Sequence, residues 1–207
     1  MASAYPGALD SFTNPTSTDN LNTTGVLHDV QHADVNNAIV AIEAELGADP
    51  SGSFATVAAA VAALLAPSKV KVTRATNQTI ANNTGTPIAF TSEDFDADGW
   101  HDNTTNNSRI TCPTGKGGTY LIVGALDFTP NATNVRSAWL SKNGTGKLVE
   151  VVLNATTNHI AIEVISVLAL VSTDYIELNA YQASGGNLDV DATTNFKPSL
   201  FALYVGP

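Results

Sequence analysis

Apolar residues change their period twice along this chain. Residues 1–26 show no period. Turn formers dominate, as in Tyr5-Pro6-Gly7 and Asn14-Pro15-Thr16-Ser17-Thr18-Asp19-Asn20, which predicts an extended arm with no packed element of its own. Its scattered apolar residues, Tyr5, Leu9, Phe12 and Leu21, are spaced as anchors for another surface. From His28 the positions His28, His32, Val35, Ile39, Ile42 and Leu46 recur at alternating steps of four and three. That is the a/d seam of a coiled coil over two and a half heptads. Gly47 supplies a C-cap and Pro50 forbids immediate resumption. A second short helix is expected behind an N-cap at Ser53, with Phe54, Val57, Val61 and Leu64 continuing the seam until Pro67. Isolated helices below about 12–15 residues are marginal in water, so residues 27–67 need company. A stripe this narrow points to identical copies around an axis; an intramolecular helical hairpin, or packing on the rest of the chain, is the alternative.

Residues 68–207 read as β structure. The predicted strands are Val70–Thr73, Ile88–Phe90, Arg109–Cys112, Thr119–Phe128, Val135–Ser141, Lys147–Leu153, His159–Val171, Tyr175–Tyr181 and Ser199–Val205. Gly117-Gly118, Asn143-Gly144 and Gly185-Gly186-Asn187 separate them as turns. So many short strands without a helical period between them predict a jelly-roll β-sandwich, and the fold class is mainly β. One strand carries more information. Ile160, Ile162, Val164, Leu168 and Leu170 share one face, while Ile165, Val167 and Ala169 make the other face apolar too. Such a strand is covered on both sides. In a two-layer sandwich the second cover is another subunit or the helical segment.

Composition narrows the partners. The 207 residues include 9 Lys+Arg against 19 Asp+Glu, a net charge of −10, and only 14% are charged where roughly a quarter is usual. A chain with so few cations cannot neutralise a run of phosphates and is repelled by an anionic membrane, so neither nucleic acid nor membrane is an expected partner. Protein or glycan remains. A single cysteine, Cys112, forms no internal disulfide. The first residues lack the basic and apolar regions of a signal peptide, and the run Val57 to Ala66 is too short for a bilayer.

Candidate chemistry is sparse. His28 and His32 fall at i and i+4 on one helix face, but a zinc site needs a third ligand, and both lie on the seam, where a polar layer is the simpler account. Asp94, Asp96, Asp98 and Gly99 copy the opening of a calcium loop, with Thr105 where the bidentate Glu belongs. A weak calcium site competes here with a solvated acidic loop, and no other cofactor is expected. There is no Gly-x-Ser-x-Gly, and Gly115-Lys116-Gly117-Gly118 opens no helix, so no enzyme is expected. Trp100 and His101, in the acidic loop, are the candidates for surface recognition of a sugar or a partner, with local packing as the alternative.

Several segments occur in a telling order. They are Gly118-Thr119-Tyr120-Leu121-Ile122, Trp139-Leu140-Ser141-Lys142-Asn143-Gly144, Asp174-Tyr175-Ile176-Glu177-Leu178 and Phe201-Ala202-Leu203-Tyr204. Together they resemble the globular head of the complement/tumour-necrosis-factor superfamily over about two-thirds of the chain. Thr173 and Leu203 stand where that pattern often has glycine. The stretch from Phe90 to Asp102 is similar to viral versions of this head. Tyr5-Pro6-Gly7-Ala8-Leu9-Asp10 and the helix from Asn37 to Gly47 resemble the N-termini of tailed-bacteriophage virion proteins. The resemblance implies a homotrimer at the virion surface: a docking arm (1–26), a helical trimerisation stalk (27–67) and a jelly-roll head (68–207). It implies a capsid decoration or head-fibre protein that binds the major capsid protein or another virion protein. The alternative is a tail-associated adhesin that recognises a host surface glycan or protein.

Overall fold

The two apolar periods become two units, residues 1–66 and 67–207. The computed structural model describes residues 16, 18–24, 27–47, 49–52, 55–193 and 196–207, without the side chains of 63 and 64. In the first unit α1 spans His28–Leu46 and α2 spans Val57–Leu65. Gly47 ends α1 at φ 81° and ψ 178°, a positive-φ conformation that glycine adopts readily, with its N–H donating to Glu43 O. The α2 cap is not at Ser53, which lies outside the described residues. Thr56 takes that role, its hydroxyl accepting from Ala59 N at 3.1 Å, so the helix begins at Val57. No helix among the described residues is long and apolar enough to cross a membrane.

The second unit is all β. Its strands are β1 (Lys69–Thr73), β2 (Gln78–Ile80), β3 (Thr86–Pro87), β4 (Ser92–Asp96), β5 (Arg109–Thr111), β6 (Gly118–Phe128), β7 (Val135–Lys142), β8 (Thr145–Asn154), β9 (Ile160–Leu170), β10 (Tyr175–Gln182), β11 (Leu188–Val190) and β12 (Ser199–Gly206). All pairings are antiparallel. In one sheet β6 is central: β9 runs along one flank, and on the other lie β12, β1 and β4, with β11 and β2 beyond the end of β12. The second sheet is β8-β7-β10, with β3 and β5 sharing the far side of β10. This is a jelly-roll sandwich. The predicted strand at Ile88–Phe90 is displaced: pairing occurs at Thr86–Pro87, and Ile88 and Phe90 instead fill the core. The acidic stretch Ser92–Asp96 is the strand β4, which its polarity concealed.

The core lies between the sheets. Val70, Val72, Tyr120, Ile122, Ile162, Val164, Leu200 and Ala202 face Leu140, Ile176, Leu178 and Ala180, all buried. Gly124 lets the layers approach: a Cβ there would sit 2.7 Å from Leu178 Cδ1 and 3.2 Å from Leu140 Cδ2.

The Asn143-Gly144 turn and the Asp174 turn lock together. Asn143 Nδ2 donates to Asp174 Oδ1 at 2.8 Å, Asn143 Oδ1 accepts from Tyr175 N at 2.9 Å, and Lys142 Nζ reaches Asp174 Oδ2 at 2.6 Å. Burial by itself raises the Asp174 carboxyl, but the Asn143 amide, Lys142 and the Val171 N–H outweigh it and hold the pKa at about 2. A depressed carboxylate contributes stability that is complete above its unfolded pKa of roughly 4 and lost as pH falls through the folded value. Asp174→Asn should therefore lower stability at neutral pH and flatten the loss between about pH 4 and 2. Denaturation across that window checks this, and a variant as acid-sensitive as the parent contradicts it.

Beside this lock Thr173 is exposed at φ 74°, in the left-handed region that a β-branched residue rarely adopts. The conformation costs roughly 1–2 kcal/mol, against about 0.5–1 kcal/mol for the extra entropy of a glycine. Thr173→Gly should stabilise the head by about 0.5–1 kcal/mol in chemical denaturation; a loss of stability would show that its side chain makes an offsetting contact.

Candidate functional site

Alternation along β6, β9 and β12 decides which side chains leave the sandwich. Tyr120, Ile122 and Gly124 turn inward, so Leu121, Val123 and Ala125 turn outward. Val123 lies between Ile165 of β9 and Phe201 of β12, and Leu121 lies between Val167 and Leu203. Two apolar ladders thus cross three strands. Phe201 pairs with Lys71, which pairs with Phe95, and the two phenyl rings meet edge to face at 6.2 Å. Among the described residues no strand of the head covers the β9 side of this surface, and Ile165 remains 55% and Val167 62% exposed. The doubly apolar strand expected from sequence is therefore found with its outer face bare. Exposed Ile165 and Val167 continuing into half-buried Leu121, Val123, Phe201 and Leu203 on adjacent strands mark an interaction surface rather than the usual scatter.

Charged groups border the ladders. Lys71 pairs with Asp94 at 2.7 Å, and Lys69 lies over the Phe95 ring at 5.6 Å from its centroid. An open groove of about 400 Å³ runs beside them, lined by Lys71, Val123, Glu163, Phe196, Lys197 and Phe201. Along β6 the outward row ends at Asp127, which is buried and accepts from or pairs with His159 Nδ1 at 2.9 Å. The same nitrogen lies 3.7 Å from Asp191 Oδ2. Burial pushes the Asp127 carboxyl up, and the His159 ring partly restores it.

The stalk residues stand as an unpaired seam. Val35, Ile39, Ile42 and Leu46 of α1 and Val57 and Val61 of α2 are all exposed. His28 and His32 meet edge to face at 4.4 Å. Phe54 and the Leu64 side chain lie outside the described residues, as do Tyr5, Leu9 and Phe12 of the arm. Leu21, the remaining arm anchor, is 67% exposed.

Two expectations need correction. Trp100 is not at the surface: it is 2% exposed, stacks edge to face on Tyr120 at 4.9 Å and donates from Nε1 to Ser68 Oγ at 3.2 Å. The His101 ring is likewise buried, with Nδ1 3.1 Å from Glu93 Oε1 and Nε2 3.2 Å from Asn107 O. Polar neighbours in sequence made this pair look like a loop tip, whereas the loop folds back over the end of the sandwich. Nor do Asp94, Asp96 and Asp98 form a calcium cage. Asp94 faces Lys71, Asp96 accepts from the Trp100 and His101 N–H groups, and Asp98 holds Lys116 and Ser68. Asp94 and Asp96 lie on β4, where the extended backbone holds alternate residues about 6.5–7 Å apart, and Asp98 lies in the turn beyond it, so the three carboxylates meet separate partners instead of one ion.

Among the described residues, the His/Cys/Asp/Glu side chains close enough to share an ion are Asp127, His159 and Asp191. No linear motif announces them, because three separate elements supply one residue each. The outer-face residues Leu121, Val123 and Phe201 were also missed as a surface. The readable signal was that Leu121 and Val123 alternate with equally apolar Tyr120 and Ile122.

No family model and no curated protein matches the chain. Solved structures do. A crystal structure of murine APRIL at pH 5.0 aligns with TM-score 0.51 at 12% identity, covering 67% of this chain and 99% of that one. The Eiger TNF structure from S. frugiperda aligns with TM-score 0.50 at 9% identity, covering 68% and 94%. Both are similar in fold to this chain, over about the share of it that the head occupies.

Proposed function

We propose that this chain is a non-enzymatic structural protein of a tailed-phage virion, a homotrimeric capsid decoration or head-fibre protein. Its N-terminal arm docks on the major capsid protein or another virion protein, the helical stalk gathers three copies, and the jelly-roll head projects from the virion surface. The observation that carries the reading is the bare apolar face across β6, β9 and β12. A second unpaired apolar stripe on α1 supports it, because the two belong to separate units and both call for identical partners. The resemblance of the arm and first helix to virion proteins supplies the context. Function is then binding: three linked arms raise the effective concentration of each docking contact, so weak contacts become persistent. The side chains expected to recognise a sugar or partner, Trp100 and His101, are both buried, so an adhesin would need another surface of the head.

Cryo-EM of purified particles, with an antibody to the head as a label, tests the reading. Density for three heads at capsid lattice positions is expected. Absence of the protein from purified particles would overturn it, and label confined to the tail would favour the adhesin.

A further inference from the structure

We infer that Asp127, His159 and Asp191 form a binding site for a divalent transition-metal ion of the zinc or manganese class. The site is distinct from the virion reading and needs only the head of one chain.

Each ligand comes from a different place and is held there. Asp127 is the last outward residue of β6, His159 immediately precedes β9, and Asp191 follows β11. Backbone bonds fix the three segments: Asp191 N donates to Asp127 O at 2.7 Å, Thr129 N to Asp189 O at 3.0 Å, and Phe128 pairs with Ile160. Asp191 is also oriented. Its Oδ1 accepts from the Thr193 N–H at 2.9 Å and hydroxyl at 2.7 Å, which leaves Oδ2 to face the imidazole. Supporting bonds of this kind set the direction of a metal ligand.

The donor set fits the ion. Nitrogen and oxygen ligands about 2.0–2.2 Å from a metal lie roughly 3–3.5 Å from one another. The His159 nitrogen is 2.9 and 3.7 Å from the two carboxylate oxygens, and the three donor atoms all lie within 4.8 Å. Two carboxylates and a neutral imidazole carry charge −2, which a divalent cation balances. The imidazole directs the choice away from magnesium and calcium and towards zinc, while the two carboxylates also suit manganese. A separate observation asks for a cation: Asp127 is 4% exposed, and its Oδ1 is buried without any hydrogen-bond partner. An orphaned carboxylate oxygen carries an uncompensated desolvation cost, and a metal ion at this position removes it. An ion here would clip the ends of β6, β9 and β11 together at the end of the bare apolar face.

The test is calorimetric titration of the full chain with zinc chloride and manganese chloride at neutral pH. It is done in a His28→Ala/His32→Ala background so that the helical histidine pair contributes nothing. One ion per chain is expected. His159→Ala, at a side chain 43% exposed and so tolerant of change, should weaken binding at least tenfold, as should Asp191→Asn. Thermal unfolding provides a second reading: zinc should raise Tm in the background protein and leave the His159→Ala variant unmoved. No heat and no shift in Tm with either ion, or equal affinity after His159→Ala, would overturn the site and leave His159 as a bridge between two carboxylates.

Discussion

Replacing Ile165 and Val167 together by aspartate is expected to turn a trimer into folded monomers. Both side chains point away from the core, on the face opposite Ile162 and Val164, and are more than half exposed in the single chain. A carboxylate there costs the isolated head little. In the trimer it enters the buried surface. Each large aliphatic side chain lost from burial removes roughly 1.5–3 kcal/mol, and each unpaired buried charge adds a penalty of several kcal/mol. Both effects occur three times per assembly. The stalk seam is only two and a half heptads long, so the head face is expected to carry most of the stability of the proposed trimer. Light scattering should give one chain mass, 21.5 kDa, with an unchanged circular dichroism spectrum. An intact trimer after this double change would mean that the face is not the interface.

The second large effect is on folding. Trp100→Ala should destabilise the head by about 3–5 kcal/mol, the usual range for emptying a large aromatic site in a core. The indole is enclosed, packs edge to face on Tyr120 and anchors the acidic loop through Ser68, whose hydroxyl also donates to Asp98 at 2.6 Å. Its loss leaves a cavity and removes the bond that the Ser68 oxygen accepts, while the Ser68 hydroxyl keeps its bond to Asp98. Trp100→Phe should recover most of the packing and lose the hydrogen bond, which places it between parent and alanine variant. A Trp100→Ala variant with parental stability would return the residue to the surface and reopen the recognition reading.

Periodicity carried most of the architecture. The long strands β6, β7, β9 and β10 are legible within a residue or two, because each buries one face and alternation survives, and β8 and α1 are equally legible from their apolar period although their apolar positions stay exposed or half-buried. Gly47 and Asn143-Gly144 mark their boundaries through positive φ, at 81°, 55° and 67°. The short strands were less readable. β2 and β11 are three residues each and pair chiefly with one another, so their signal is tertiary. β4 carries Glu93, Asp94 and Asp96 and reads as a loop until its partner β1 is known.

Sites were harder than strands, for a physical reason. The Asp94-Asp96-Asp98 spacing is a linear pattern, but the extended backbone of β4 keeps Asp94 and Asp96 about 6.5–7 Å apart and Asp98 sits in the following turn, so the motif gathers no cage. The Asp127-His159-Asp191 group has no linear pattern at all, since sheet pairing brings its members together across 64 residues of chain. The apolar face lay between these extremes. It was visible in Ile165, Val167 and Ala169 of one strand, and β6 and β12 extended it.

Native mass spectrometry of the full chain, free of particles, tests the central claim most directly. Three noncovalently joined chains of 21.5 kDa each are expected at low-micromolar concentration. A spectrum holding only the single-chain mass under the same conditions would contradict a trimeric virion protein built on that face.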